Sequence, residues 1–294
     1  MIVRDRPNAF LLFFVLRGSI VVRIWPQVLT VGAISALIVL AHRFAPHLVP
    51  GVNPAPFALL GIAISIFLSF RNTASYDRWW EARKLWGETI QTARDIARQT
   101  IVLEGQAASE RREILYLVIE FGHRLVTHLR PGPGVIGPAS HAAPRHPDAI
   151  LTEIAARIGH LLRRGDLGAT EALVLNEAVG RLSHAMVACE RLKNTPLPFA
   201  YTLLLHRSAY LFCFMLPFGL ADGLGWGTPL ATMLVAYTFF GLDALAEELE
   251  EPFGMMPNDL PIAAYATVIE IALRRALGET DLPPVPVPVN YLLT

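Results

Sequence analysis

Residues 54–86 read PAPFALLGIAISIFLSFRNTASYDRWWEARKLW, an uncharged stretch that passes abruptly into a charged one. No Asp, Glu, Lys or Arg occurs between Ala55 and Phe70, and the apolar residues there recur at helical spacing. From Arg71 onward, charged residues occur together with tryptophans, as is typical where a helix crosses a membrane boundary. The pattern predicts one helix that spans a membrane and continues beyond it, with the cytoplasm beginning near Arg71.

One face of that helix carries a ladder of large apolar side chains. Ile62, Ile66 and Phe70 stand at i, i+4 and i+8, so they share a face, while Ser65 and Ser69 lie on a neighbouring one. Apolar residues at this spacing in a membrane helix usually pack against other helices or lipid. The residues alone therefore predict either a packing seam or a pore wall.

The composition of the 294 residues is that of a membrane protein. Hydrophobic residues make up 53% and charged residues 17%, which is too apolar for an ordinary soluble protein. The formal net charge is zero, so the chain lacks the basic field that nucleic-acid binding needs. Cys189 and Cys213 form no CxxC pair and predict no disulfide framework. We expect a membrane protein whose cysteines are reduced or simply buried and which has no nucleic-acid partner.

Alternating apolar and charged stretches divide the chain into five predicted segments. They are a cytoplasmic or interfacial N-terminal helix (1–23), a transmembrane hairpin that includes the neck helix (24–80), a cytoplasmic helical region (81–198), a second transmembrane hairpin (199–250), and a cytoplasmic C-terminal helix and tail (251–294). Four membrane spans are predicted, at 24–44, from 55 onward, at 199–220 and at 229–246, because a hydrocarbon core of about 30 Å needs about 20 apolar residues. Lys and Arg crowd the segments that flank these spans on one side, which predicts cytoplasmic termini.

The linking stretches are rich in proline and predict irregular structure. Residues 45–56 predict a turn between the first two spans, and residues 131–147 predict a loop. The amphipathic stretch at 7–22 predicts a retained surface helix. The tail at 281–294, DLPPVPVPVNYLLT, predicts an extended strap because its alternating prolines exclude a helix.

Three motifs give the chain a family resemblance. They are the Ile62, Ile66, Phe70 ladder followed by RWW at 78–80, then TPLPFAY at 195–201, then EPFG at 251–254. Taken together, in this order and spacing over nearly the whole chain, they resemble the bestrophin family of ion channels in its bacterial branch. The resemblance implies an all-α subunit with four transmembrane helices and a cytoplasmic helical bundle, assembled as a homopentamer around a central pore.

The resemblance also implies roles for particular residues. It places Ile62, Ile66 and Phe70 around the pore axis as a narrow hydrophobic neck, which can gate by dewetting. It places a second constriction at the cytoplasmic mouth, on the helix before the TPLP break, near Thr170 by register. Both roles depend on the family and not on spacing alone.

A residual acidic cluster follows the fourth predicted span, at Glu248, Glu251 and Asp259. A run of charge is usually a solvated helix end. The family's calcium-gated animal members carry a dense acidic cluster after the Pro-Phe-Gly step, and here only Asp259 keeps a carboxylate after that step. Because Ca²⁺ needs several oxygen ligands, we expect no calcium activation.

The nine histidines form no recognisable metal motif along the chain. None stands in HExxH, and the pairs His123/His128 and His141/His146 are five residues apart, a spacing that does not align on one helical face. Neither a phosphate-binding glycine loop nor a GxSxG elbow occurs. We expect no enzyme activity, no metal and no cofactor.

The predicted function is passive ion conduction across the cell's inner (plasma) membrane. The expected partners are further copies of the chain, small inorganic ions and the lipid bilayer. Anion or cation selectivity stays open, because animal relatives pass anions, bacterial relatives are associated with cations, and the neck helix carries no charge. The alternatives are a membrane receptor or scaffold without conductance and, with less support, a membrane-embedded enzyme.

Overall fold

The computed structural model describes residues 1–4, 8, 10, 14–16, 18–45, 52–130 and 145–293. Within these ranges the chain is helical and has no β-strand, apart from isolated bridges near its two ends. The all-α prediction is confirmed. The predicted surface helix, the turn between the first two spans and the loop before residue 147 lie wholly or partly outside the described residues.

The helices within the described ranges follow one another in chain order. They are α1 (Val21–Phe44), α2 (Ala55–Gln99), α3 (Ala108–Leu129), α4 (Pro147–Arg164), α5 (Ala169–Asn194), α6 (Phe199–Leu224), α7 (Thr228–Glu250) and α8 (Ile262–Ala276). Two short 3₁₀ turns, Thr100–Leu103 and Gly225–Gly227, follow α2 and α6. Gly225 has φ +49°, a conformation that a side chain would strain, so glycine permits the tight turn between α6 and α7.

Helix α2 is unusually long and runs without a break past Arg71. Its 45 residues extend about 67 Å at 1.5 Å per residue, more than twice the thickness of a hydrocarbon core. At its start, the side chain of Asn53 accepts the N–H of Ala55 at 2.9 Å, and Pro54 and Pro56 need no helical N–H partner. The prediction of a single helix that continues beyond the uncharged stretch is confirmed.

Among the residues that the structure describes, three helical stretches are long and apolar enough to cross a membrane: Val21–Phe44, Ala55–Leu103 and Phe199–Glu250. The third is divided by the turn at Gly225–Gly227 into α6 and α7. These stretches contain the segments that the sequence predicts as membrane spans.

The chain forms two compact units. The apolar unit consists of Asp5–Arg78 and Pro196–Glu250, and it contains α1, the first half of α2, α6 and α7. The charged unit consists of Met1–Arg4, Trp79–Thr195 and Glu251–Thr294, and it contains the rest of α2 with α3, α4, α5 and α8. Each unit has a hydrophobic core of its own.

In the apolar unit, α1 packs against α6 and α7, which also pack against each other. Leu68 on α2 and Phe240 on α7 are fully buried in its core. A Cβ added at Gly219 would lie 2.7 Å from the ring of Phe57, so the glycine leaves room for that aromatic side chain. Small residues allow membrane helices to approach one another in this way.

In the charged unit, α3 packs against α4 and α8. One face of α3 carries an apolar stripe at helical spacing, and this stripe is buried: Ile114, Leu117, Val118, Phe121 and Leu125. Burying side chains of this size stabilises a fold by about 1.5–3 kcal/mol each. The chain's ends also meet in this unit, where the Met1 ammonium donates to the carbonyl of Leu293 at 2.5 Å.

Candidate pore-lining site

The predicted ladder lies on an uncovered face of α2. Ile62, Ile66 and Phe70 are 60%, 50% and 61% exposed, whereas Ile64 and Leu68 on the same helix are buried. At 100° per residue, Ile66 stands about 160° round the helix from Ile64. The ladder therefore lies opposite the stripe through which α2 packs into its own subunit.

The ladder face offers apolar surface and no charge. The Ser65 hydroxyl donates to the carbonyl of Gly61 at 2.7 Å, so its proton is already hydrogen-bonded within the helix. No ionisable residue occurs from Ala55 to Phe70. A face of this kind can exclude water, but it cannot bind an ion through a charged group.

The first charge after the ladder, Arg71, is buried on the other side of the helix. It is 2% exposed and stands about 140° from Ile66. Its guanidinium forms an ion pair with Asp243 of α7 and lies 3.6 Å from a carboxylate oxygen of Glu250. Nδ1 of His206 lies 2.7 Å from the second oxygen of Asp243. This network, which is buried except at the half-exposed His206, joins α2, α6 and α7 and keeps the Arg71 charge away from the ladder.

Glu250 extends the network to the start of the second hairpin. Its Oε1 accepts the N–H of Leu197 at 3.1 Å, and its carbonyl accepts from Nε of Arg78 at 3.1 Å. Leu197 belongs to the TPLPFAY motif, where the two prolines interrupt the helix and leave its N–H without a helical partner. The motif and the RWW sequence thus both bind Glu250, one through its carboxylate and the other through its backbone carbonyl.

The sequence reading missed this network, although one signal for it was available. Arg71 and Asp243 both lie within stretches long and apolar enough to cross a membrane, where charged residues are rare and usually pair with one another. Asp243 lies within the predicted span at 229–246, and no function is predicted for it from the sequence. A search for opposite charges in different spans would have paired the two residues.

Thr170, the residue predicted near a second constriction, is the second residue of α5, and its side chain is exposed. It belongs to the charged unit. An exposed position is compatible with a pore-lining role.

The three acidic residues of the predicted cluster have different surroundings. Glu248 is buried in the apolar unit, with its carboxylate 3.9 Å from Arg23, whereas Glu251 is exposed. Asp259 is buried in the charged unit, and its Oδ2 accepts the N–H of Met256 at 2.6 Å. The Asp259 carboxylate therefore stabilises the loop after EPFG.

The described residues include one group that could hold a metal ion: His128, His146 and Glu190. The sequence reading expected no metal because it compared histidine spacings along single helices. These three residues come from three different helical elements, so no spacing along the chain reveals them.

Comparisons with known proteins place the chain in a family. The model for "Bacterial/Fungal Bestrophin protein" matches residues 1–275. A voltage-dependent anion channel-forming protein of Mesorhizobium japonicum is 44% identical over 290 residues, which cover 95% of this chain and 93% of the relative. The voltage-dependent anion channel-forming protein YneE of Escherichia coli K12 is 39% identical over 293 residues, with 96% of each chain covered.

Solved structures agree with the sequence relatives. The crystal structure of a bacterial bestrophin homologue from Klebsiella pneumoniae is similar to this chain with a TM-score of 0.80 and 36% identity, covering 89% of this chain and all of the other. The chain therefore belongs to the bacterial bestrophin family, a family of ion channels and not of enzymes.

Proposed function

We propose that this protein is a homopentameric channel of the inner (plasma) membrane that passes small monovalent ions passively through a central pore. Its neck is lined by Ile62, Ile66 and Phe70 of each subunit. The observation that carries the proposal is the uncharged, uncovered ladder on α2, opposite the stripe that packs into the subunit. The names of the relatives favour anions as the conducted ions.

The proposed topology has four spans and cytoplasmic termini. The spans are α1, the first part of α2, α6 and α7, and the charged unit forms the cytoplasmic part, with a second constriction near Thr170. The distribution of Lys and Arg supports this orientation.

A single subunit cannot enclose a pore with one helix face, so the ladder requires further copies of the chain. Five α2 helices around an axis bring their ladders into three stacked rings of apolar side chains. A narrow ring of this kind strips an ion of hydration water and offers no polar group in return. In this proposal the neck closes by drying and opens when it widens enough to admit water.

Disulfide formation at position 66 tests the arrangement of subunits. We expect Ile66→Cys to form a dimer band on non-reducing gels after mild oxidation, because neighbouring copies of the side chain face a common axis. Ile66→Cys is made in a variant in which Cys189 and Cys213 are replaced by Ser. Both native thiols are buried, and burial raises the pKa of the Cys189 thiol to about 12. The protein is tested in membranes before any detergent is added.

A matched variant, Leu37→Cys on α1, controls for random collision. Leu37 is 65% exposed, similar to the ladder residues, but it lies on a different helix. Dimer formation at position 37 equal to that at position 66, or no dimer at position 66 together with ready labelling by a lipid-soluble maleimide, would contradict the proposed axis.

A further inference from the structure

Three potential metal ligands meet in the charged unit, outside the proposed pore. His128 lies in the last turn of α3, His146 caps the start of α4, and Glu190 lies in the last turn and a half of α5. We refer to these residues as the His–His–Glu group. Their ligand atoms all lie within 4.8 Å of one another.

The distances within the group are close to those of a coordination shell. Oε1 of Glu190 lies 2.8 Å from Nε2 of His128 and 3.8 Å from Nε2 of His146. Ligand atoms about 2.0–2.1 Å from a tetrahedral Zn²⁺ are about 3.3–3.4 Å apart. Shifts of about half an ångström would therefore bring both contacts of Glu190 to these separations, and the two imidazole nitrogens, which lie within 4.8 Å of each other, would complete the shell by approaching to the same distance.

We propose that His128, His146 and Glu190 form a binding site for a divalent transition-metal ion such as Zn²⁺. Two imidazoles and one carboxylate suit zinc and its neighbours better than Ca²⁺ or Mg²⁺, which prefer shells of oxygen atoms. Three protein ligands leave a fourth position for water.

The group is open to solvent and chemically suited to binding. The side chains of His128, His146 and Glu190 are 30%, 51% and 24% exposed, so an ion can reach them. A neutral imidazole is the form that binds a metal.

Binding would also change a hydrogen bond at the start of α4. Nδ1 of His146 accepts the N–H of Asp148 at 3.2 Å, which places the proton of the neutral ring on Nε2. Coordination through Nε2 moves that proton to Nδ1. The N–H of Asp148 then donates its hydrogen bond to water instead of to the ring. The ion would replace this cap by a link among α3, α4 and α5.

The chain provides a matched control on the same helix. His123 of α3 lies 2.8 Å from Glu270, the same distance as in the His128–Glu190 pair. Within the described residues no third ligand completes that pair into a potential metal group. If any histidine–carboxylate pair were enough to bind zinc, the His123–Glu270 pair would therefore bind it as well as the His128–Glu190 pair.

The test is a zinc titration of the full-length protein in detergent, with purification tags removed and metals stripped by a chelator. We expect one Zn²⁺ per chain by competition with a chromophoric chelator, and a melting temperature that rises until that ratio is reached. H128Q and E190Q should each weaken binding at least about 10-fold, because even the loss of an outer-shell partner costs that much. H123Q should bind as the parent does.

A spectroscopic measurement keeps the test independent of stability. Co²⁺ substituted at the site should give the visible absorption of tetrahedral coordination, and H146Q, at the most exposed position of the group, should lose it. Absence of stoichiometric zinc in the parent protein would overturn the proposal. Equal zinc affinity in the parent, H128Q and E190Q would overturn it as well.

Discussion

Replacing Ile62, Ile66 and Phe70 together by Ala should raise both the conductance and the open probability of the channel. The substitutions remove bulk from three stacked rings and keep the helix, because Ala has the highest helix propensity. A wider neck admits water and lowers the cost of bringing an ion through it. Single-channel recordings of the purified protein in planar bilayers measure both quantities.

A matched triple variant distinguishes widening of the pore neck from general destabilisation of the apolar unit. Leu37, Leu211 and Leu234 lie on α1, α6 and α7, are 63–66% exposed, and lose similar bulk when replaced by Ala. That variant should conduct as the parent does. If the ladder were a packing seam, truncation would cost roughly 2–5 kcal/mol for each residue. An intact neck variant with unchanged currents, or one that loses its oligomer, would contradict the gate.

Arg71→Met should destabilise the apolar unit by about 3–5 kcal/mol. The substitution removes the guanidinium that pairs with Asp243 and approaches Glu250, and it leaves buried carboxylates without their cation. An uncompensated charge in a buried site costs far more than the pair contributes. The measurement is the unfolding free energy, or the melting temperature, of the protein in detergent.

Two further variants test the cause of that loss. Asp243→Asn in the Arg71→Met background should recover part of the stability, because it removes one of the stranded charges. Arg191→Met is the exposed control. Arg191 pairs with Glu81 at 2.5 Å, but their side chains are 62% and 39% exposed, so the loss of this pair should cost less than about 1 kcal/mol. Similar losses for Arg71→Met and Arg191→Met would show that burial of the network contributes little.

The long helix and its ladder could be predicted from the sequence because both depend on local periodicity. An uncharged run followed by charged residues at unbroken helical spacing specifies α2 past Arg71. The buried stripe of α3, from Ile114 to Leu125, follows from the same 3.6-residue period. The motifs then supplied the family, which periodicity alone does not.

The buried network and the His–His–Glu group could not be predicted in the same way. Arg71 and Asp243 are 172 residues apart, and His128 and Glu190 are 62 apart. Tertiary packing brings such pairs together, and the spacing of residues along one helix does not predict contacts between different helices. The charges of Arg71 and Asp243 within apolar stretches partly indicate the buried network. Nothing in the local sequence distinguishes His128 from His123.

Charge placed at position 66 tests the central claim, that this face of α2 lines the ion pathway, most directly. The measurement is the reversal potential of Ile66→Glu and Ile66→Lys channels in bilayers under a salt gradient, compared with that of the parent. Rings of acidic side chains favour cations and rings of basic ones favour anions. We predict shifts of opposite sign for the two variants, whatever the parent's own selectivity. Identical reversal potentials in all three proteins, with currents still present, would show that Ile66 does not face the pore.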